Sequence, residues 1–248
     1  MRPAPTHAAT APKTFAALLA FVTLAAGARA DAQYGFGAPP ARATLGGGVF
    51  VAQPVGEFKN YVRNGFGGGG HLLLRVDRQG FLALRADVGY LIYGHETKRV
   101  SLPDAGRVQF DVTTSNNILT YSVGPQLMVP TGPIRPYVNA MAGGAYFFTE
   151  SSVGGSDNSS DFASTRNFGD NVPSYGYGGG LFVPFRMRYA QVGLDIGARF
   201  IRNGHTRYLR EGGIQDDPGG GYTVFPIESE TNLVVYHIGI SAGLRSRR

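Results

Sequence analysis

His71 and His237, together with Arg85, Asp87, Asp195 and Arg199, are the residues whose types and spacing could do chemistry in this chain. A histidine acting as a general base must sit within hydrogen-bond reach of a serine, a carboxylate or a water. No His-x-Ser occurs, and Ser241 falls four residues past His237, about two pleats along an extended strand and too far to be its partner. The blander role, polar residues lining an interior, is the expected one, and no catalytic residue is assigned. Arg85 and Asp87 sit two apart in an otherwise oily stretch, "GFLALRADVGYLIYG", and Asp195 and Arg199 repeat the theme further on. Opposite charges so placed can pair wherever both face a common enclosed space.

Metal and phosphate chemistry find less support. Glu150, Asp157, Asp161 and Asp170 gather between residues 149 and 173, and Asp216-Asp217 precede a Pro-Gly-Gly-Gly run. Neither set has the regular ligand spacing of a calcium loop, so solvated loops are expected, with no metal and no cofactor. The glycine runs at 46–48, 67–70 and 178–180 are not followed by a helix carrying Lys-Ser/Thr, which a phosphate cradle requires. They suit interior space and bend points in a curved sheet. The chain has no cysteine, which excludes disulfides, thiolate zinc sites and thiol nucleophiles.

The elements that must position these residues are strands. In the stretch from Leu82, one face reads Leu82, Leu84, Ala86, Val88, Tyr90 and Ile92, and the other Ala83, Arg85, Asp87, Gly89, Leu91 and Tyr93. A strand sends alternate side chains to opposite faces of its sheet. The same period of two recurs at 119–129, 190–200 and 236–244, and in glycine-diluted form near 44–52, 67–76, 137–148 and 175–184. That makes eight candidate strands. Short connections ("DRQG", "PTGPIRP" and a segment near Arg186–Tyr189) alternate with long ones near 53–65, 94–113, 149–173 and 203–230, read as exposed loops.

Composition chooses the solvent. Hydrophobic content is ordinary at 43%, but only 16% of residues are charged and 37 are glycine, against about a quarter charged and ~7% glycine in a soluble domain. The net charge of +6 is scattered, not gathered into a stripe, so nucleic-acid binding is not expected. If the apolar faces meet lipid, the small, polar and charged faces line an interior. An Arg or Lys facing lipid near midplane would cost about 2–4 kcal/mol, so the consistency of the inward set matters. In lipid the sheet must close, because an open edge would leave backbone groups unsatisfied. The expected fold is all-β: a closed, antiparallel, up-and-down transmembrane barrel of eight strands, with short periplasmic turns and long outer loops. Tyr90, Tyr93, Tyr146 to Phe148, Tyr175, Tyr177 and Tyr189 are expected in aromatic girdles.

At the N-terminus, Arg2 and Lys13 precede the apolar run "FAALLAFVTLAAGA", with Ala28-Arg29-Ala30 and Ala30-Asp31-Ala32 offering small residues at peptidase spacing. Residues 1–32 are therefore expected to be a cleaved secretory signal, and residues 33–248 the barrel domain.

With these residues in view, the chain resembles the small outer-membrane β-barrel proteins of Gram-negative-type bacteria, the group related to the membrane domain of outer membrane protein A. In such families the last strand is an assembly signal, and His237, Gly239, Ala242 and Leu244 fall at the family's spacing. The family's terminal aromatic is absent, and an "RSRR" tail follows. "GPIRPYVNAMAGGAYFF" is similar to the family's turn and fifth strand. The resemblance implies the cell outer membrane, contacts with its lipid and lipopolysaccharide, insertion by the barrel-assembly machinery, and a monomer. The function expected is structural or surface-interacting, with a polar, largely plugged interior holding Arg85, Asp87, Asp195, Arg199, His71 and His237. A narrow porin-like channel or transporter is the alternative. An envelope enzyme and a soluble periplasmic ligand-binding barrel stand behind both.

Overall fold

The computed structural model describes residues 41–101, 109–155, 163–185, 191–216 and 221–244. The proposed signal at 1–32, the turn near Arg186–Tyr189, Asp157, Asp161, Asp217 and the "RSRR" tail lie outside the described residues.

The strands run β1 (Ala43–Pro54), β2 (Gly65–Arg75), β3 (Leu82–Ser101), β4 (Gln109–Met128), β5 (Arg135–Gly155), β6 (Ala163–Pro184) and β7 (Val192–Asn203). Four short strands follow, β8 (His205–Tyr208), β9 (Ile214–Asp216), β10 (Tyr222–Val224) and β11 (Ile227–Glu230), before the last, β12 (Leu233–Leu244). Eight of these close into one barrel in the order β1-β12-β7-β6-β5-β4-β3-β2. Each strand pairs antiparallel with its sequence neighbour, and β12 pairs with β1 to shut the sheet. Closure leaves the spanning region without a strand edge, as hydrocarbon demands.

The trimmed rim is built from turns that the sequence marks clearly. Gly80 and Gly132 adopt positive φ, 84° and 105°, a region open to glycine at no steric cost. In the first of these turns Asp77 accepts the backbone N–H groups of Phe81 and Leu82 at 2.9 and 3.0 Å. That fixes the register with which β3 starts.

The opposite rim differs from the sequence expectation. Two segments read as loops, 94–113 and 149–173, are mostly strand: β3 to β6 are 20, 20, 21 and 22 residues long, whereas β1, β2, β7 and β12 have 11 or 12. The four long strands are adjacent, so they stand out from the barrel as a continuous sheet. Thr, Ser, Asn and paired charges occur on both of its faces, with Val100 and Val112 among them on the inner one, and no sustained apolar alternation marks the strands. Thr97 pairs with Thr113 and Arg99 with Asp111 across β3 and β4. Glu150 and Asp170, expected in a solvated loop, lie on β5 and β6. Glu150 meets Arg166 at 3.2 Å, and Asp170 accepts from Thr206 Oγ1 and the Arg207 N–H, both at 2.8 Å.

Nor are the other long connections simply exposed. Between β1 and β2, a 3-10 turn at Phe58–Asn60 sends Phe58 into the barrel mouth, where it is fully buried. From the segment between β7 and β12, Tyr208 and Leu209 are buried as well.

Candidate functional site

Outside, every barrel strand presents exposed apolar side chains. Val49 on β1, Phe66 on β2, Val88 on β3, Val123 on β4, Val138 on β5, Leu181 on β6, Ile196 on β7 and Ile238 on β12 are all exposed. They encircle the molecule. A water-soluble barrel does not carry a continuous apolar belt of this extent. From Leu82 to Ile92, β3 climbs roughly 25 Å at ~3.4 Å per residue and ~40° of tilt, the height of an outer-membrane barrel's apolar band. The chain is an outer-membrane-type β-barrel.

Three solved structures show a likeness to it. The barrel is similar to Neisserial surface protein A (14% identity, 84% of this chain and all of that one, TM-score 0.40). It is similar to Ail, the attachment invasion locus protein of Yersinia pestis (9% identity, 82% and 98%, TM-score 0.41). It is also similar to a major outer membrane protein from Thermus thermophilus (13% identity, 80% and 98%, TM-score 0.40). No protein-family model matches the chain, and no curated protein matches its sequence.

Inside, the lumen is filled by two layers of different chemistry. The layer nearer the trimmed rim is ionic. Arg85 Nε lies 3.0 Å from both oxygens of Asp87, and Arg199 Nη1 lies 2.8 Å from Asp87 Oδ1. Arg85 Nη1 donates to Gln126 Oε1 at 2.9 Å and lies 3.9 Å from Asp195. The Tyr137 hydroxyl donates to Asp195 Oδ1 at 2.6 Å and lies 3.0 Å from His237 Nε2. His237 and His71 each approach Asp195 through Nε2, at 3.5 and 3.8 Å. Two guanidinium groups thus face two carboxylates, a balance that buried charges need to survive desolvation.

All six residues named from the sequence therefore meet in one cluster. Three partners escape the sequence reading: Tyr137, Gln126 and, for His71, Ser241. Tyr137 was within reach of the alternation, since Arg135, Tyr137 and Asn139 are buried while Pro136, Val138 and Ala140 are exposed. Ser241 is indeed no partner of His237; its hydroxyl lies 3.2 Å from His71 Nε2. A glycine makes this approach possible. A Cβ on Gly46, which pairs with both residues across β2 and β12, would collide with the His71 ring and the Ser241 hydroxyl.

Ser241, His71 and Asp195 have the composition of a hydrolytic triad but not its geometry. In a triad one imidazole nitrogen faces the serine and the other the carboxylate. Here the same Nε2 faces both, so His71 cannot take the serine's proton on one side while being oriented by the aspartate on the other. Among the described residues no three of His, Asp and Glu converge as metal ligands do.

The second layer is aromatic. Phe58, Tyr93, Phe147 and Tyr208 pack edge-on or tilted, with ring centroids 5.0–6.3 Å apart. Ile118, Ala145, Val172 and Leu233 surround them. The Tyr93 hydroxyl donates to the Leu209 carbonyl at 3.0 Å, tying the barrel wall to the folded-in segment. Tyr93 and Phe147, expected in an outer girdle, face inward because Tyr93 shares parity with Arg85 and Asp87 on β3, and Phe147 with Tyr137 on β5. Tyr175 and Tyr177 do face outward, and Tyr146 stacks on Phe148 at 5.3 Å. Between the layers lies a cavity of about 90 Å³, walled by Gly48, Gly69, Gly89, Phe50, Thr120 and Met141 and floored by the ionic cluster.

Proposed function

We propose that this barrel serves the cell outer membrane as a structural or surface-interacting protein, not as a pore or an enzyme. The observation that carries this reading is the double closure of the lumen. Phe58, Phe147 and Tyr208 have no accessible surface, and Arg85, Gln126 and Asp195 below them are 2–4% exposed. An ion would have to displace two layers of unlike chemistry, an aromatic plug and a charge-neutral network, to pass. Eight strands enclose an interior about wide enough for side chains to fill. Material is invested instead in the projecting sheet of β3 to β6, the part of the molecule that reaches furthest beyond the membrane. The barrel is proposed to act as a monomer in contact with lipid and lipopolysaccharide. β12, with His237, Gly239, Ala242 and Leu244, is the segment proposed to be read by the barrel-assembly machinery.

Conductance across a planar lipid bilayer tests the reading. The refolded protein is expected to give no steady current steps. Regular single-channel steps would overturn it in favour of a narrow channel.

A further inference from the structure

Above the membrane, the inner face of the projecting sheet and the β9–β10 hairpin enclose a cleft of about 330 Å³, the lower end of the size range of small-molecule sites. We propose that this cleft binds a neutral saccharide, an inference that rests on the surface-interaction reading above.

One wall of the cleft carries a row of hydroxyl and amide side chains, with Val100 and Val112 beside it. Thr114 and Ser151 are joined by a hydrogen bond of 2.9 Å, and Asn167 Nδ2 donates to the same Ser151 oxygen at 2.6 Å. Thr165 and Asn116 continue the row. The other wall, from the hairpin, offers Ile214 and Tyr222, which is 53% exposed. A sugar ring matches this division. Its hydroxyls radiate from the edge toward donors and acceptors, and its C–H face is apolar enough to lie on an aromatic ring. A tyrosine is suited to such a contact, with an apolar body and a polar tip.

Charge and backbone point the same way. Glu96 and Glu211 are balanced in the cleft by Lys98 and Arg210. Glu96 is engaged with Lys98 at 3.5 Å and Glu211 with Arg63 at 3.3 Å. The lining itself, two carboxylates and two cations, carries no net charge with which to select an anion. The floor is the face of strands already paired β3 to β4, β4 to β5 and β5 to β6. Their backbone groups are spent in the ladder, so an extended peptide would find no strand edge here to join. Recognition falls to side-chain hydroxyls, amides and one ring.

The test is saturation-transfer NMR on the full barrel in a detergent without a sugar headgroup, with chitotriose and maltotriose as probes and a short neutral peptide as the control. Transfer to the ring protons of at least one trisaccharide is expected. Tyr222→Ala and Asn167→Ala, each keeping the heat-dependent gel mobility of a closed barrel, are each expected to weaken binding roughly fivefold or more, the loss of about one good contact. No transfer to either saccharide, transfer that persists in both variants, or transfer to the peptide alone overturns the assignment. The closed-lumen reading is judged separately by conductance, so either can fail without the other.

Discussion

The hydroxyl of Tyr137 on β5 passes behind β6 to donate a 2.6 Å hydrogen bond to Asp195 on β7. It ties β5 into the ionic cluster, and its acceptor is a carboxylate 4% exposed. Hydrogen bonds to charged groups contribute about 1.5–3 kcal/mol each, and a buried acceptor left short of a donor carries its desolvation penalty. Tyr137→Phe keeps the ring and removes only the hydroxyl. It is expected to lower stability by about 1–3 kcal/mol in urea titrations of the vesicle-inserted barrel, with the heat-dependent mobility retained at zero urea. An unchanged urea midpoint would mean that a water or His237 replaces the hydroxyl at no cost.

The ionic cluster should respond as a network. Asp87 is bound by both Arg85 and Arg199, so Arg199→Gln leaves Asp87 with one cationic partner and Asp87→Asn leaves Arg199 with none of the cluster's carboxylates in close contact. Breaking one partner of a buried pair costs about 3–5 kcal/mol, far more than the pair's net worth. The double variant, Asp87→Asn with Arg199→Gln, is expected to be less destabilised than the sum of the singles by about 1–3 kcal/mol. Additive effects in the same urea assay would refute coupling through the lumen.

Much of this interior was legible, for a physical reason. Between Leu82 and Tyr93 the two sides of the strand meet hydrocarbon and a polar lumen, an extreme contrast, so every second residue betrays its solvent. That parity assigns Arg85, Asp87, Asp195 and Arg199 to the inside. Parity does not say which strand positions stand level around the barrel, so the contacts of Asp195 with Tyr137, His71 and His237 were not readable. Above the membrane the contrast vanishes, and with it the signal. Thr113 and Thr114 face opposite sides of β4 yet both meet water, and so 94–113 reads as a loop. Phe58 lies on a 3-10 turn in a connection, and Tyr208 ends β8, a four-residue strand too short for its period to stand out in the sequence. Nothing local distinguishes a loop aromatic that folds into the mouth from one that stays outside.

Those two residues make the plug testable. Phe58 contacts Tyr93, Phe147 and Tyr208 and has no exposed surface. Large-to-small changes at such sites cost about 3–5 kcal/mol when the cavity cannot collapse. Phe58 sits on a connection outside the barrel ladder, so the cost is expected to appear as local opening rather than loss of the barrel. Phe58→Ala should speed protease cleavage between residues 55 and 64 and hydrogen exchange of the Val62 N–H, which bonds to the Phe58 carbonyl at 3.1 Å. The heat-dependent mobility should persist, and so should the absence of conductance, because the ionic layer still closes the lumen below. Current steps in this variant would show that the aromatic layer alone is the barrier.

At the trimmed rim, Asp77 offers a pH-dependent device that lies outside the spanning strands. Against an opposing effect of burial, the backbone N–H groups of Leu82 and Phe81 hold its carboxyl below the ordinary carboxylate value, which is about 3.9. A carboxylate depressed on folding lends stability that is present above its unfolded value and is lost as pH falls through the folded one. The turn between β2 and β3 should therefore be tightest at neutral pH and loosen only in acid. NMR titration of the Asp77 carboxyl carbon is expected to give a midpoint under about 3.9. Protection of the Phe81 and Leu82 amides should fall over the same range. Asp77→Asn keeps an acceptor oxygen but no charge, and should remove the pH dependence while leaving part of the protection. A midpoint at or above the ordinary value would mean that the two hydrogen bonds do not favour the charged form, and the turn would then rest on the positive φ of Gly80 alone.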